Sequence, residues 1–189
     1  HLKKNIQKTI ISENVFIGKK VSIGKNCYIG KNVVIYPGTK ISDNVIILDN
    51  TVLGIYGLGY IKGILMPHLG NLIIKDKVKI GANCTVVRGT LDNTVIGESV
   101  KIGNNVNIGH NVKVSKNSII ASSVVAGGVE IKSDCQISGG VSIKNNIIIG
   151  KKSKIGIGAV VVKDVNDKDN QSTYFGNPAR KTILLKKLF

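Results

Sequence analysis

An apolar residue at every sixth position, a small or branched residue four places behind it, and a glycine directly after many of the apolar residues predict an all-β chain wound as a parallel β-helix. The apolar series opens at Ile11, Ile17, Ile23, Ile29, Ile35, Ile41, Ile47 and Leu53. The small or branched residues of the same stretch are Val21, Cys27, Val33, Thr39, Val45 and Thr51, and the glycines include Gly18, Gly24 and Gly30. A helix with 3.6 residues per turn does not keep such a period, and a flat strand alternates every two residues. Short strands joined by tight turns do keep it, and each coil then needs a neighbour to bury its inward side chains.

The first coils run without interruption to Leu53. Residues 54–71, GIYGLGYIKGILMPHLGN, break the beat with several glycines and Pro67, so residues 54–72 are expected to project as a loop. The beat returns at Ile74, Ile80 and Val86. Four extra residues within VVRGTLDNTV then delay the next apolar residue to Ile96, which puts Arg88, Asp92 and Asn93 on a bulge beside a strand. Ile96, Ile102, Ile108, Val114 and Ile120 restore the pattern. One residue is missing near Ala126, Gly127, Gly128 and Val129, after which Ile131, Ile137, Ile143, Ile149, Ile155 and Val161 complete the coil. Residues 1–181 read as one β-helix domain, and residues 182–189 as a tail able to form one short helix.

Composition agrees with a narrow column. Of 189 residues none is Trp and three are Phe, and a stack of Ile, Val and Leu leaves little room for rings. Cys27, Cys84 and Cys135 share one place in their repeats, four residues after Ile23, Ile80 and Ile131, where other repeats carry Val, Thr or Ser. They read as buried thiols, and an odd count without CxxC spacing points to a reducing, cytoplasmic compartment. No signal peptide or membrane span is evident, because the apolar residues are spread one per repeat. The formal charge of +16, from 27 Lys and Arg against 11 Asp and Glu, fits solvated corners or a field that attracts phosphorylated small molecules. Nucleic acid fits less well, since no aromatic residues interleave with the basic ones to stack bases. His1, His68 and His110 are the three histidines; they lack metal-ligand spacing, and no metal is expected. His68 reads as a solvated loop residue. His110 stands two places after Ile108, at a turn outside the core column.

These segments resemble the hexapeptide-repeat acyltransferases, a bacterial superfamily with a left-handed β-helix. Residues 54–60 (GIYGLGY), 66–71 (MPHLGN), 80–97 (IGANCTVVRGTLDNTVIG) and 100–114 (VKIGNNVNIGHNVKV) are similar to the lipid A pathway members that N-acylate UDP-3-O-acylglucosamine. The resemblance implies that His110 is the general base and that Gly127 offers its backbone N–H to the oxyanion. Arg88, Asp92, Asn93 and Asn111 are then candidate substrate-binding residues, Arg88 either reaching phosphate or sugar oxygens or bracing the bulge by a salt bridge to Asp92. The ending IGIGAVVVKDV followed by YFGNPAR resembles that of the coenzyme-A-dependent sugar acetyltransferases. It implies a CoA site at Gly158, Ala159, Lys163, Asn177, Pro178 and Arg180.

Together these likenesses imply an N-acyltransferase that moves a short acyl group, acetyl by default, from CoA to a nucleotide-linked amino sugar in bacterial surface-glycan or lipopolysaccharide biosynthesis. They also imply a homotrimer with each site between two subunits, in keeping with a single solenoid's want of a deep concave pocket. A compact lipid A enzyme using acyl carrier protein and an O-acetyltransferase with the same base remain open. A zinc-dependent γ-type carbonic anhydrase lacks its histidines here. A non-catalytic solenoid should show a regular Thr or Asn array rather than the bulge and the Gly-His-Asn turn.

Overall fold

The computed structural model describes residues 8–165 and 172–182. Over these residues the chain is all-β and winds about nine turns of a left-handed parallel solenoid. Each coil lays one short strand on each of three faces. Face 1 carries Ile10–Ile11, Tyr28–Ile29, Ile46–Ile47, Lys79–Ile80, Lys101–Ile102, Ile119–Ile120, Gln136–Ile137 and Lys154–Ile155. Face 2 carries Phe16–Ile17, Val34–Ile35, Val52–Ile55, Thr85–Val87, Asn107–Ile108, Val124–Val125, Ser142–Ile143 and Val160–Val161. Face 3 carries Ser22–Ile23, Lys40–Ile41, Leu72–Ile74, Thr94–Ile96, Lys113–Val114, Glu130–Ile131 and Ile148–Ile149.

The register explains the beat. Val34 pairs with Val52, Thr85 with Asn107 and Val124 with Ser142, so equivalent residues of successive coils stack directly. The second residue of each two-residue coil strand points inward, and Ile29, Ile35, Ile47, Ile108 and Ile131 are fully buried, as are Leu53, Ile74 and Ile96 of the longer strands. The small residue two places before each of them, such as Val33, Val45 or Val106, points the same way and is also buried. The first described coil has a neighbour on one side only, and Ile11 and Ile17 stay 47% and 42% exposed.

The corners are built on left-handed backbone. Asn14, Asn26, Asn32, Asn44, Asn50, Asn83, Asn105, Asn111, Asn117 and Asn146 all have φ between 55° and 61°, a region that Asn tolerates better than most side chains. Their amides also pair between coils: Asn26 donates to Asn44 at 3.4 Å and Asn32 to Asn50 at 3.0 Å. The repeat therefore carries a third signal three places after the inward apolar residue, a left-handed slot filled most often by Asn and otherwise by Gly, Lys, Ser or Asp, beside the apolar and small slots.

The thiols lie in the column as expected. Cys27, Cys84 and Cys135 are buried, and each donates its S–H to a carbonyl of the next coil, on Ser42, Gly103 and Gly150 at 3.2, 3.0 and 3.0 Å. Burial pushes all three thiols above their ordinary pKa, which keeps them protonated and poorly nucleophilic.

Two of the three expected interruptions stand where the sequence puts them. The strand Val52–Ile55 carries the face through Ile55, after which residues 56–71 leave the coil and form an antiparallel hairpin, Tyr60–Ile61 against Ile64–Leu65. Residues 88–93 bulge out between Thr85–Val87 and Thr94–Ile96, with a register shift between Val86 and Val87. The third is corrected: Ile102 pairs with Ile120, eighteen residues on, but Ile108 pairs with Val125, seventeen on, so the missing residue lies in the turn at 121–123. The Gly127-Gly128 turn itself has normal length. The C-terminal end is also corrected in part. Thr182 belongs to the strand Arg180–Thr182, which pairs with Thr173–Phe175 and closes face 1; the helix expected over 182–189 otherwise lies outside the described residues. No helix among the described residues is long and apolar enough to cross a membrane.

Two outcomes follow from this packing. Ile108→Ala, in the middle of the column, should cost about 2–5 kcal/mol, a large part of the roughly 5–15 kcal/mol that holds a domain folded; urea unfolding monitored by circular dichroism measures it. The three thiols should be inert to a maleimide in the native protein and all react in denaturant.

Candidate active site

The hairpin loop, the bulge, His110 and Gly127 occupy one edge of the prism, the corner where face 2 turns to face 3. Residues 36–39 turn there in one coil, the loop 54–71 in the next and the bulge 88–93 in the next. His110, Gly127, Asn145 and Lys163 then follow in successive coils. A solenoid can expel an insertion only at a corner, because a longer strand would break the register of its face. The chain has placed both of its insertions immediately above His110.

His110 is half-buried, and its Nδ1 lies 3.0 Å from Asn111 Oδ1. The orientation of that amide is fixed by partners with a single role. Asn111 Oδ1 accepts the Thr90 N–H at 3.1 Å, and Asn111 Nδ2 donates to the Asp92 carbonyl at 3.1 Å. The Thr90 hydroxyl also donates to Asn111 Oδ1, at 2.8 Å. Oδ1 is therefore an acceptor, and Nδ1 of His110 must carry the hydrogen. In the neutral ring Nε2 is left with its lone pair free, which is the form a general base needs.

The same ring rests on Gly127. A β-carbon at position 127 would stand 2.5 Å from His110 Nε2 and 2.6 Å from Cε1, so only glycine leaves space for the imidazole. The Gly127 carbonyl accepts from Asn146 N–H at 3.0 Å, whereas its N–H donates to no protein acceptor among the described residues.

His68 was expected to be solvated; it is 5% exposed. The loop folds back and lays its ring edge-on against His110, with centroids 5.7 Å apart and planes at 81°. Its Nδ1 donates to the Met66 carbonyl at 3.1 Å, and its buried Nε2 has no hydrogen-bond partner. Nothing in the spacing of a single sequence shows that a glycine-rich loop turns its one histidine inward.

Arg88 is a brace of a different kind from the one expected. It is 7% exposed, and its Nε donates to the Gly70 carbonyl at 2.7 Å. Its two terminal nitrogens reach the Pro37 carbonyl at 3.2 Å and Asn71 Oδ1 at 2.9 Å. The guanidinium also lies 5.1 Å from the centre of the Tyr56 ring. Three of its five N–H groups are thus spent, two on the end of the loop at Gly70 and Asn71 and one on the turn of the preceding coil at Pro37, so Arg88 is not held out towards a substrate. Nor does it pair with Asp92, whose carboxylate meets Lys113 Nζ at 2.8 Å. Lys113 holds the Asp92 carboxyl below its usual range, and Asp92 in turn raises Lys113. Both groups are exposed, so this ion pair adds little stability. Asn93 Oδ1 accepts the Asn71 N–H at 2.8 Å and ties bulge to loop. Asp92, Asn93 and Asn111 are thus near His110 but engaged with one another.

The expected CoA residues divide into two groups. Lys163 is exposed on the corner of His110, three coils beyond it, a span of about 14 Å at the usual strand spacing. Gly158, Asn177, Pro178 and Arg180 are exposed where face 1 turns to face 2, on the last coil and the terminal hairpin. That hairpin is tied down by Ala179 N–H to the Val160 carbonyl at 2.8 Å and Val160 N–H to the Gly176 carbonyl at 3.0 Å. Ala159 differs from them in that its side chain is fully buried in the core column, so it could meet a ligand only through its backbone.

Comparison with known proteins agrees with the fold. The family model for bacterial transferase hexapeptide (six repeats) matches residues 8–42 and 20–54. The UDP-3-O-acylglucosamine N-acyltransferase of Rhizobium meliloti (strain 1021) is 40% identical over 134 residues, which make up 68% of this chain and 37% of that protein. The chain thus spans little more than a third of that relative's length. A solved UDP-N-acetylglucosamine acyltransferase from Francisella novicida is 26% identical with a TM-score of 0.70, covering 93% of this chain and 66% of that one. The UDP-N-acetylglucosamine O-acyltransferase of Moraxella catarrhalis RH4 is 26% identical with a TM-score of 0.65, covering 93% of this chain and 70% of that one.

Arg88→Ala should remove all three Arg88 hydrogen bonds and destabilise the fold by at least about 2 kcal/mol, because hydrogen bonds to a charged group are worth about 1.5–3 kcal/mol each. Limited proteolysis should then cut within 54–71 first. Arg88→Lys should recover little, since an ammonium cannot reach three divergent acceptors with a planar fork.

Proposed function

The chain belongs to the hexapeptide-repeat family of bacterial transferases, and we propose that it is an acyltransferase whose acceptor is a UDP-linked amino sugar. The observation that carries this reading is the hydrogen bond from His110 Nδ1 to an Asn111 amide of fixed orientation. It leaves Nε2 as a free base at a corner lined by the loop and the bulge. The names of the relatives supply the acceptor class, and the mixture of acid-silent amides and one imidazole supplies the chemistry.

In the proposed step the neutral amine attacks the thioester carbonyl. The new C–N bond forms as the amine proton passes to His110 Nε2. The carbonyl oxygen becomes an oxyanion beside the Gly127 N–H, a donor without a protein partner. The C–S bond then breaks, and the imidazolium returns its proton to the leaving thiolate. Transfer is direct, and the three buried thiols take no part. One such oxyanion donor is typically worth about 2.7–4 kcal/mol of transition-state stabilisation.

For the donor we propose CoA carrying a short acyl group. Exposed Lys163 on the same corner supports it by charge, and Arg180 adds a second charge, with the exposed Gly158, Asn177 and Pro178 beside it, if a second copy brings its last coil alongside. A homotrimer with each site between two copies meets that condition. The alternative donor, an acyl carrier protein, is favoured by the alignment with UDP-3-O-acylglucosamine N-acyltransferases. The product places the chain in surface-glycan or lipopolysaccharide biosynthesis, a cytoplasmic task for a nucleotide-sugar enzyme.

Thiol release from acetyl-CoA and from an acyl carrier protein thioester, against UDP- and dTDP-linked amino sugars, tests the reading. A UDP-amino sugar should be acylated, and His110→Ala should lower kcat by at least about 10²-fold with little change in KM. Transfer that is intact in His110→Ala would overturn the mechanism. With CoA as donor, the KM for acetyl-CoA should rise with salt, since exposed charges are screened over about 8–10 Å, and rise further in Lys163→Ala. Reaction of carrier-protein thioesters alone would replace CoA as the donor.

A further inference from the structure

We infer that His68 is a positioning residue for His110, so that the projecting loop acts on the chemistry through this one ring. In its kinetic part the inference rests on the reading of His110 as the base. The loop is otherwise turned outward: Leu58, Tyr60, Ile64 and Leu69 are 82%, 62%, 73% and 68% exposed, against 5% for His68. A polar ring is buried where apolar ones are not, and its Nε2 is sealed without a partner beneath Gly57. An unpaired buried nitrogen costs stability. What the placement achieves is contact with His110, at the separation and perpendicular angle that aromatic rings prefer.

The contact completes a three-sided clamp. Asn111 Oδ1 holds His110 Nδ1, the Gly127 α-carbon lies under the Nε2 and Cε1 edge, and the His68 ring stands against the ring plane. Hydrogen bonding at Nδ1 alone leaves the imidazole free to pivot about that bond. His68 is itself locked by its Nδ1–H to the Met66 carbonyl, two residues back in the loop. The loop is in turn locked at its root by Arg88. The order of His110 is thereby tied to the order of a segment that lies outside the coil.

The test is nitrogen NMR of histidine-labelled protein at about pH 8, where free imidazole is neutral, together with kinetics. In the wild type, His110 should report a protonated Nδ1 and a bare Nε2. In His68→Ala the unclamped ring should swing off the Asn111 amide for part of the time, so the two shifts should move towards their mean as tautomers mix, and kcat should fall about ten- to hundredfold, since small misplacements of a reacting group are that costly. Both KM values should stay within about twofold. His68→Phe, which keeps a ring without the nitrogens, should recover more than half of each effect and guards against a folding defect in the alanine variant. Unchanged His110 shifts in His68→Ala would overturn the inference, as would a raised KM with kcat intact, which would make His68 a substrate contact. The NMR result needs no turnover, so it decides the positioning role even if the transfer reaction proposed above is not found.

Discussion

Everything in this molecule depends on coil-to-coil register. Each coil has two inward side chains per face and no core of its own, so it is stable only with its neighbours' side chains directly above and below. The stacked pairs Val34 with Val52 and Val124 with Ser142 show the register kept over much of the chain. One extra residue, Gly54, is absorbed at the end of a face 2 strand, where Val86 pairs with Leu53 but Val87 with Ile55, but a longer insertion would turn inward side chains outward. It has to leave at a corner. The 54–71 loop and the 88–93 bulge both leave at the same corner, in adjacent coils, and the next coil presents His110. The functional site is thus the place where the fold's strictest rule is relaxed.

What the insertions bring to that corner is order rather than reactive groups. Arg88, in the bulge, binds the root of the loop; Asn93 binds Asn71; Thr90 and Asp92 fix the Asn111 amide. The outcome of this chain of hydrogen bonds is a statement about one proton, which must sit on Nδ1 of His110. Low-stability loops are common at reactive sites, but the returning arm of this loop is fastened by a buried guanidinium at Gly70 and Asn71 and by two packed imidazoles at His68. Its exposed leucines and isoleucines are a separate feature, carried on the hairpin beyond those fastenings.

The fold was legible in the sequence because the six-residue beat is a direct image of burial. Ile108 and Val114 are apolar because they point inward, and no other feature competes at those slots. The proposed base, His110, and Gly127 beside it were legible through a resemblance, and the close packing of the His110 ring on Gly127 gives that resemblance a steric reason. Other parts were hidden. The buried pairing of His68 depends on how a loop folds back, and no periodicity records that. Arg88 and Asp92 look like partners because they are close in sequence, yet the bulge turns one inward and the other towards Lys113. The missing residue was placed at Gly127-Gly128 because paired glycines resemble a break; in fact Gly128, with φ of 72°, fills the left-handed slot that Asn fills elsewhere. Ala159 was grouped with Gly158 as a candidate ligand residue because the two are adjacent in the chain, but its own slot in the repeat is an inward one.

The central claim is that acyl transfer occurs at the face 2 to face 3 corner with Nε2 of His110 as the base. The most direct measurement is a crystal structure of the protein with a UDP-linked amino sugar bound. The account predicts the acceptor nitrogen within about 2.6–3.2 Å of His110 Nε2, the reach of a proton transfer, with the Asn111 amide unmoved. A sugar bound with its acceptor atom at another corner, or with Nε2 of His110 bonded to protein instead, would contradict it.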